Sequence, residues 1–218
     1  MRGLRALHHM KTSLLAAAVL LSLCPPSLAA SGCTALLTDP AGDVQETGAN
    51  PPAPVEDERQ VDLLSVDLAS TRRQITASFR VVSLDAETQP LEAHAYEVGF
   101  TSNGQRYYLY VSHDANADHY WVVHQLGDAT TGEDQPLAPG AREVLGDAVG
   151  TYRPRQRLIT VTARAAQFEG AGGLGKEVTS IRATTYAGSR APGGEAFEFA
   201  DHGRTDQVHR IGSPGCAG

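Results

Sequence analysis

Tyr96-Glu97-Val98-Gly99-Phe100-Thr101-Ser102-Asn103-Gly104-Gln105-Arg106-Tyr107-Tyr108-Leu109-Tyr110-Val111 is the stretch that decides how this chain folds. Tyr96, Val98 and Phe100 recur at every second position, as do Leu109 and Val111. Side chains on a strand alternate between its two faces, so a period of two is a strand signal. Asn103-Gly104 stands between the two runs. It is a strong hairpin signal, because both central positions of a type I′ turn need positive φ. The stretch reads as two antiparallel strands joined by a tight turn.

The same period extends in both directions. Leu64, Val66 and Leu68 share a face, and Asp62 points the same way by that count. Ile75, Ala77, Phe79 and Val81 share another, with Thr76, Ser78 and Arg80 opposite. Trp121 with Val123, Ile159 with Val161, and Ile181 with Ala183 continue the pattern. Residues 114–118 form a longer hairpin tip. The one helical candidate is a turn or two near Ala165 to Phe168. Many short strands and little helix predict an all-β chain: an antiparallel β-sandwich of jelly-roll or immunoglobulin-like type, with at most one short helix. Residues 45–60 hold Asn50-Pro51-Pro52-Ala53-Pro54 and Glu56-Asp57-Glu58, and read as a surface loop.

The N-terminus predicts export. Arg2, Arg5 and Lys11 are followed by an apolar run from Leu14 to Leu23 and the small-residue site Ser27-Leu28-Ala29-Ala30. That is the order of a secretory signal peptide over residues 1–30, leaving 31–218 as one domain. The apolar run is too short to span a membrane, and no later stretch is long and apolar enough. Cys24 leaves with the leader. Cys33 and Cys216 remain near the two ends and are expected to pair in an oxidising space. The alternative is a lipid anchor on Cys33, because Ala30-Ser31-Gly32-Cys33 resembles a lipobox. Removing residues 1–30 takes three of the 18 basic residues and none of the 25 acidic ones, so the remainder carries −10 with histidine neutral. An acidic surface disfavours nucleic acid as a partner and suits divalent cations.

Candidate chemistry is sparse. Asp39 and Asp43 flank Pro40-Ala41-Gly42, a turn able to fold back toward Asp62. Carboxylates at the rim of a core face call for a partner, and hard oxygen donors of this kind suit a structural Ca²⁺; turn capping and an arginine partner for Asp62 are the alternative. Asp114-Ala115-Asn116-Ala117-Asp118 matches the first half of an EF-hand loop. His119 stands where glycine belongs and Gln125 where glutamate belongs, so it reads as a hairpin tip. His113 and His119 flank that tip and could face one another across it. Gly170-Ala171-Gly172-Gly173-Leu174-Gly175 has glycine-motif spacing, but strand residues follow it, so no nucleotide site is expected. No nucleophile motif is present, and no catalytic residue is assigned.

Aromatic residues gather on two neighbouring strands: Tyr107, Tyr108, Tyr110, Tyr120 and Trp121. If Leu109 faces the core, Tyr108 and Tyr110 line an outer face. Exposed rings in a row can stack on sugars, or can simply brace the sheet across strands.

Asp39-Pro40-Ala41-Gly42-Asp43, the later Val61-Asp62-Leu63-Leu64-Ser65-Val66-Asp67 and the unit Leu158–Ala163, Arg164-Ala165-Ala166-Gln167-Phe168, Val178–Ala187 resemble secreted bacterial β-sandwich domains. These are similar to the family 9 carbohydrate-binding modules and the DOMON-like domains. The ending Ile211-Gly212-Ser213-Pro214-Gly215-Cys216 is similar to tails of secreted actinobacterial proteins. The resemblance implies a β-sandwich that binds a ligand. Haem-binding DOMON proteins use a Met and a His; here Met1 and Met10 both lie in the leader, so no haem is expected. The expected function is a secreted, non-catalytic binding module for an extracellular glycan or cell-surface ligand, with Tyr108, Tyr110, Tyr120 and Trp121 as contacts. The alternatives are a secreted hydrolase with its site at the 113–119 hairpin end, and a structural or partner-binding envelope protein.

Overall fold

Two antiparallel sheets face each other across an apolar core in the computed structural model, which describes residues 35–46, 59–84, 92–114, 117–126, 142–191 and 194–215. The strands are β1 (Leu37–Thr38), β2 (Gln45–Glu46), β3 (Leu63–Ser70), β4 (Gln74–Val81), β5 (Glu92–Ser102), β6 (Gln105–His113), β7 (Asp118–Gln125), β8 (Arg142–Asp147), β9 (Val149–Arg153), β10 (Leu158–Arg164), β11 (Glu177–Ala191), β12 (Gly194–Thr205) and β13 (His209–Arg210). One sheet runs β1-β3-β4-β10-β9. The other runs β2-β12-β11-β5-β6-β7-β8, with β13 added beside β11. The all-β sandwich expected from the period of two is the architecture found. Among the described residues no helix is long and apolar enough to cross a membrane.

The alternating residues form the core. Val66, Leu68, Ile75, Ala77, Phe79, Ile159 and Val161 from the first sheet meet Tyr96, Val98, Phe100, Tyr107, Leu109, Val111 and Ile181 from the second, all fully buried. Asn103 (φ 48°) and Gly104 (φ 73°) make the turn between β5 and β6, in the left-handed region the sequence demands there. Helical turns at Ala165–Ala171 carry Phe168 into one end of the core, edge-on to Tyr107 with ring centroids 5.0 Å apart. The Arg164 N–H donates to Gln167 Oε1 at 2.8 Å and starts those turns. A single further turn covers Pro154–Gln156. The glycine-rich segment runs from those helical turns directly into β11.

Two features of the fold position the acidic groups near its edge. The Asp39–Asp43 turn carries the chain from β1, at the edge of one sheet, to β2, at the edge of the other. A bulge between Leu63 and Ser65 breaks the alternation of β3. Leu63 is therefore buried and Leu64 only half-buried, so Asp62 does not share the Val66–Leu68 face that a regular strand would give it. Cys24, Cys33, Cys216, the expected leader, residues 47–58 of the expected surface loop and residues 115–116 of the expected hairpin tip lie outside the described residues, while Gln45–Glu46 form β2.

Candidate functional site

Chain crossing between sheets gathers four aspartates. Asp39 and Asp43 bracket the turn, Asp62 precedes β3, and Asp201 comes from β12. Asp39, Asp43 and Asp201 each offer a carboxylate oxygen within 4.8 Å of the others. Asp62 is 5% exposed; its Oδ2 accepts the Gly42 N–H at 2.9 Å from within the same turn. Asp201 is 3% exposed and accepts the N–H groups of Leu63 and His202, both at 2.7 Å. Asp39 Oδ2, Asp43 Oδ1 and Asp62 Oδ1 are shut away from solvent with no hydrogen-bond partner. Burial, and then the charges of Asp201 and Asp43, hold the Asp39 carboxyl well above the usual range. Burial does the same to Asp201. Of the expected set, Asp39 and Asp43 come together with Asp201, and Asp62 is tied to their turn through the Gly42 N–H. Asp201, which the sequence did not mark, belongs with them.

The outer face of the larger sheet holds the aromatic residues. Its cross-strand register lays out two rows: Arg204, Arg182, Gly99, Tyr108, Val123 and Val144, then His202, Thr184, Glu97, Tyr110, Trp121 and Asp147. Tyr108 is packed down. The Arg142 guanidinium lies 4.4 Å from its ring centroid and continues to Glu97, with contacts of 2.6 and 3.2 Å. The Tyr108 hydroxyl donates to Gln125 Oε1 at 2.7 Å. Gly99 lies beneath: a Cβ there would come within 2.7 Å of Arg106 and of the Tyr108 ring. Glu97 is 5% exposed, and stripping such a buried charge of its partner costs about 3–5 kcal/mol. Arg142 and Tyr108 therefore form a rigid base.

The next row is open. Tyr110 and Trp121 are half-buried, with ring centroids 5.6 Å apart. His119 is exposed and its ring lies parallel to Trp121, at 5.4 Å and 4°. Tyr120 does not join them. Neighbours on a strand point to opposite faces, and Tyr120 turns inward over Gly150, the residue that leaves room for its ring.

At the 113–119 hairpin end, His113 Nδ1 lies 2.5 Å from Asp118 Oδ1, and the His113 ring stacks on Tyr152 at 4.0 Å. Asp114 is used by its own turn, where Oδ1 accepts the Ala117 N–H at 3.0 Å. His119 faces the other side of the sheet, and His124 meets Gln105 Oε1 at 3.0 Å. The structure does not bring His113, His119 and His124 together. In their place it pairs His113 across the strands with His94. His94 is fully buried, with neither ring nitrogen hydrogen-bonded.

Asp201, Arg142 and His94 have no signature in the sequence because each acquires its role through cross-strand register. A buried charge in an alternating strand, such as Glu97 between Tyr96 and Val98, was the available signal. No known protein family matches the chain, and no curated protein or solved structure is significantly similar to it.

Proposed function

We propose that this protein is an exported, non-catalytic binding module that takes an extracellular or cell-surface glycan on the outer face of its larger sheet. The observation that carries the reading is the platform of Tyr110, Trp121 and His119, three accessible rings side by side with His119 and Trp121 parallel. Sugar rings present apolar C–H faces that pack on such surfaces, while polar groups at the edge take their hydroxyls. Thr184 and Asp147 stand in the same row on either side. The Arg142–Tyr108–Glu97 base holds the platform at low entropic cost. The kinship expected with family 9 modules and DOMON-like domains belongs to this proposal, as do export and a role for Ca²⁺ in place of haem.

Retention on a panel of immobilised polysaccharides tests it. The wild type should be held by at least one. Trp121→Ala combined with Tyr110→Ala should weaken binding at least thirtyfold, the about 2 kcal/mol typical of a hot spot, with an unchanged melting temperature. A wild type retained by none, or a double variant that binds equally well, would contradict the proposal. A second reading rests on the His113–Asp118 pair: a carboxylate on Nδ1 orients an imidazole for acid–base work. Turnover of ester or glycoside substrates that His113→Ala abolishes would favour a hydrolase.

A further inference from the structure

We propose that Asp39, Asp43, Asp62 and Asp201 form a Ca²⁺ site that clamps the turn between β1 and β2 to strand β12, closing the sandwich where its two sheets come edge to edge. Three carboxylate oxygens from Asp39, Asp43 and Asp201 already lie within 4.8 Å of one another, the span that ligands around one ion of this size require. The independent observation is Asp62. It is 95% buried, fastened by the Gly42 N–H from inside the turn, and still leaves its Oδ1 with no partner. Gly42 lies between Asp39 and Asp43, so the hydrogen bond from its N–H sets the Asp62 carboxylate against the turn that carries both.

Together with Asp39 Oδ2 and Asp43 Oδ1, that makes three carboxylate oxygens shut away from solvent with no hydrogen-bond partner. Native proteins leave very few buried polar atoms so, and burying an uncompensated carboxylate is among the costlier arrangements available. Backbone donors from Gly42, Leu63 and His202 meet only the other oxygens. The described cation nearest in effect is Arg59, which is exposed and acts on Asp62 as the weakest of several influences. A divalent cation supplies what is missing. All the donors are hard oxygens, with no histidine or cysteine among them, which selects against Zn²⁺ and copper. A site assembled from a turn, strand β12 and the residue before β3 also suits the flexible coordination of Ca²⁺ better than the strict octahedron of Mg²⁺.

Thermal melts of the purified protein, stripped with EDTA and then supplied with Ca²⁺, test the site. At a hundredfold excess over Kd the wild-type Tm should rise by roughly 5–10 °C. Asp43→Asn should abolish that rise while melting in EDTA at or above the wild-type temperature, because it removes a repelling charge and leaves the turn's backbone hydrogen bonds in place. A purely structural carboxylate would instead give a lower Tm in both conditions. Isothermal titration with CaCl₂ provides a second readout: heat of binding for the wild type and none for Asp43→Asn or Asp201→Asn. An equal wild-type Tm in EDTA and Ca²⁺ with no heat overturns the site. A larger shift with Zn²⁺ than with Ca²⁺ overturns the choice of ion.

Discussion

His94 shows how much a single residue can carry. It sits inside the β5–β6 pairing opposite His113, fully buried, where no partner meets either ring nitrogen. Burial, and then the neighbouring His113, pull its pKa down to about 4 from an ordinary 6.5. His113 itself is held by Asp118, its acidic partner at that end. A depressed histidine pKa means that the unfolded chain binds the proton more readily than the folded one. The stability this neutral form allows is present above pH 6.5 and is lost as pH falls toward 4, about 3 kcal/mol across the window. Asp39 and Asp201, with raised values, titrate in the opposite sense and are common to any pair of proteins that differ only at position 94. Chemical denaturation at pH 7 and pH 4 should therefore show His94→Phe losing less stability on acidification than the wild type. Parallel losses would show that His94 is already protonated or solvated in the fold.

Among the elements, the hairpin at Asn103-Gly104 was legible because its chemistry is local: two positive-φ positions between two alternating runs leave one register open, Ser102 opposite Gln105. The core faces of β4, β6 and β10 follow from the same alternation. What failed to show were interruptions and partners. The bulge after Leu63 depends on how β3 meets β4, and it turned Asp62 away from the face a regular count assigns. Chemistry alone groups Tyr120 with Trp121, but adjacent strand residues face apart, and Tyr120 packs inward over Gly150. Tyr108 lies on the outer face as expected, but Arg142, 34 positions further along the chain, lies over it. Asp201 is separated from Asp39 by almost the whole domain; they meet because β12 pairs with β2 and packs against Leu37 of β1. Distances of that kind along the chain carry no sequence signature.

For the whole molecule, the described ends converge. β1 pairs Leu37 with Val66 along one edge of β3, and the backbone N–H of Leu36 reaches the Asp67 carboxylate. The tail approaches β3 from the other direction: the Ser70 N–H donates to the Ser213 carbonyl at 2.9 Å, and Gly215 packs against Leu68. Cys33 lies three residues before Leu36 and Cys216 one residue after Gly215. We propose a Cys33–Cys216 disulfide as the closure; in the chain-entropy model a loop this long would stabilise by up to about 5 kcal/mol. Intact mass under non-reducing conditions should be two protons below the reduced value; a diacylglyceryl adduct on Cys33 would instead show the lipid-anchored form. Disulfide and cation would then fasten the same edge of the sandwich, leaving the aromatic face on the larger sheet as a rigid platform. Trp121 is the sole tryptophan of the chain, so its emission reports on that platform alone. Titration with a polysaccharide that retains the protein should shift or quench the Trp121 emission saturably, at the same concentrations that drive retention. Full retention with an unmoved Trp121 spectrum would place the ligand elsewhere and contradict the glycan platform.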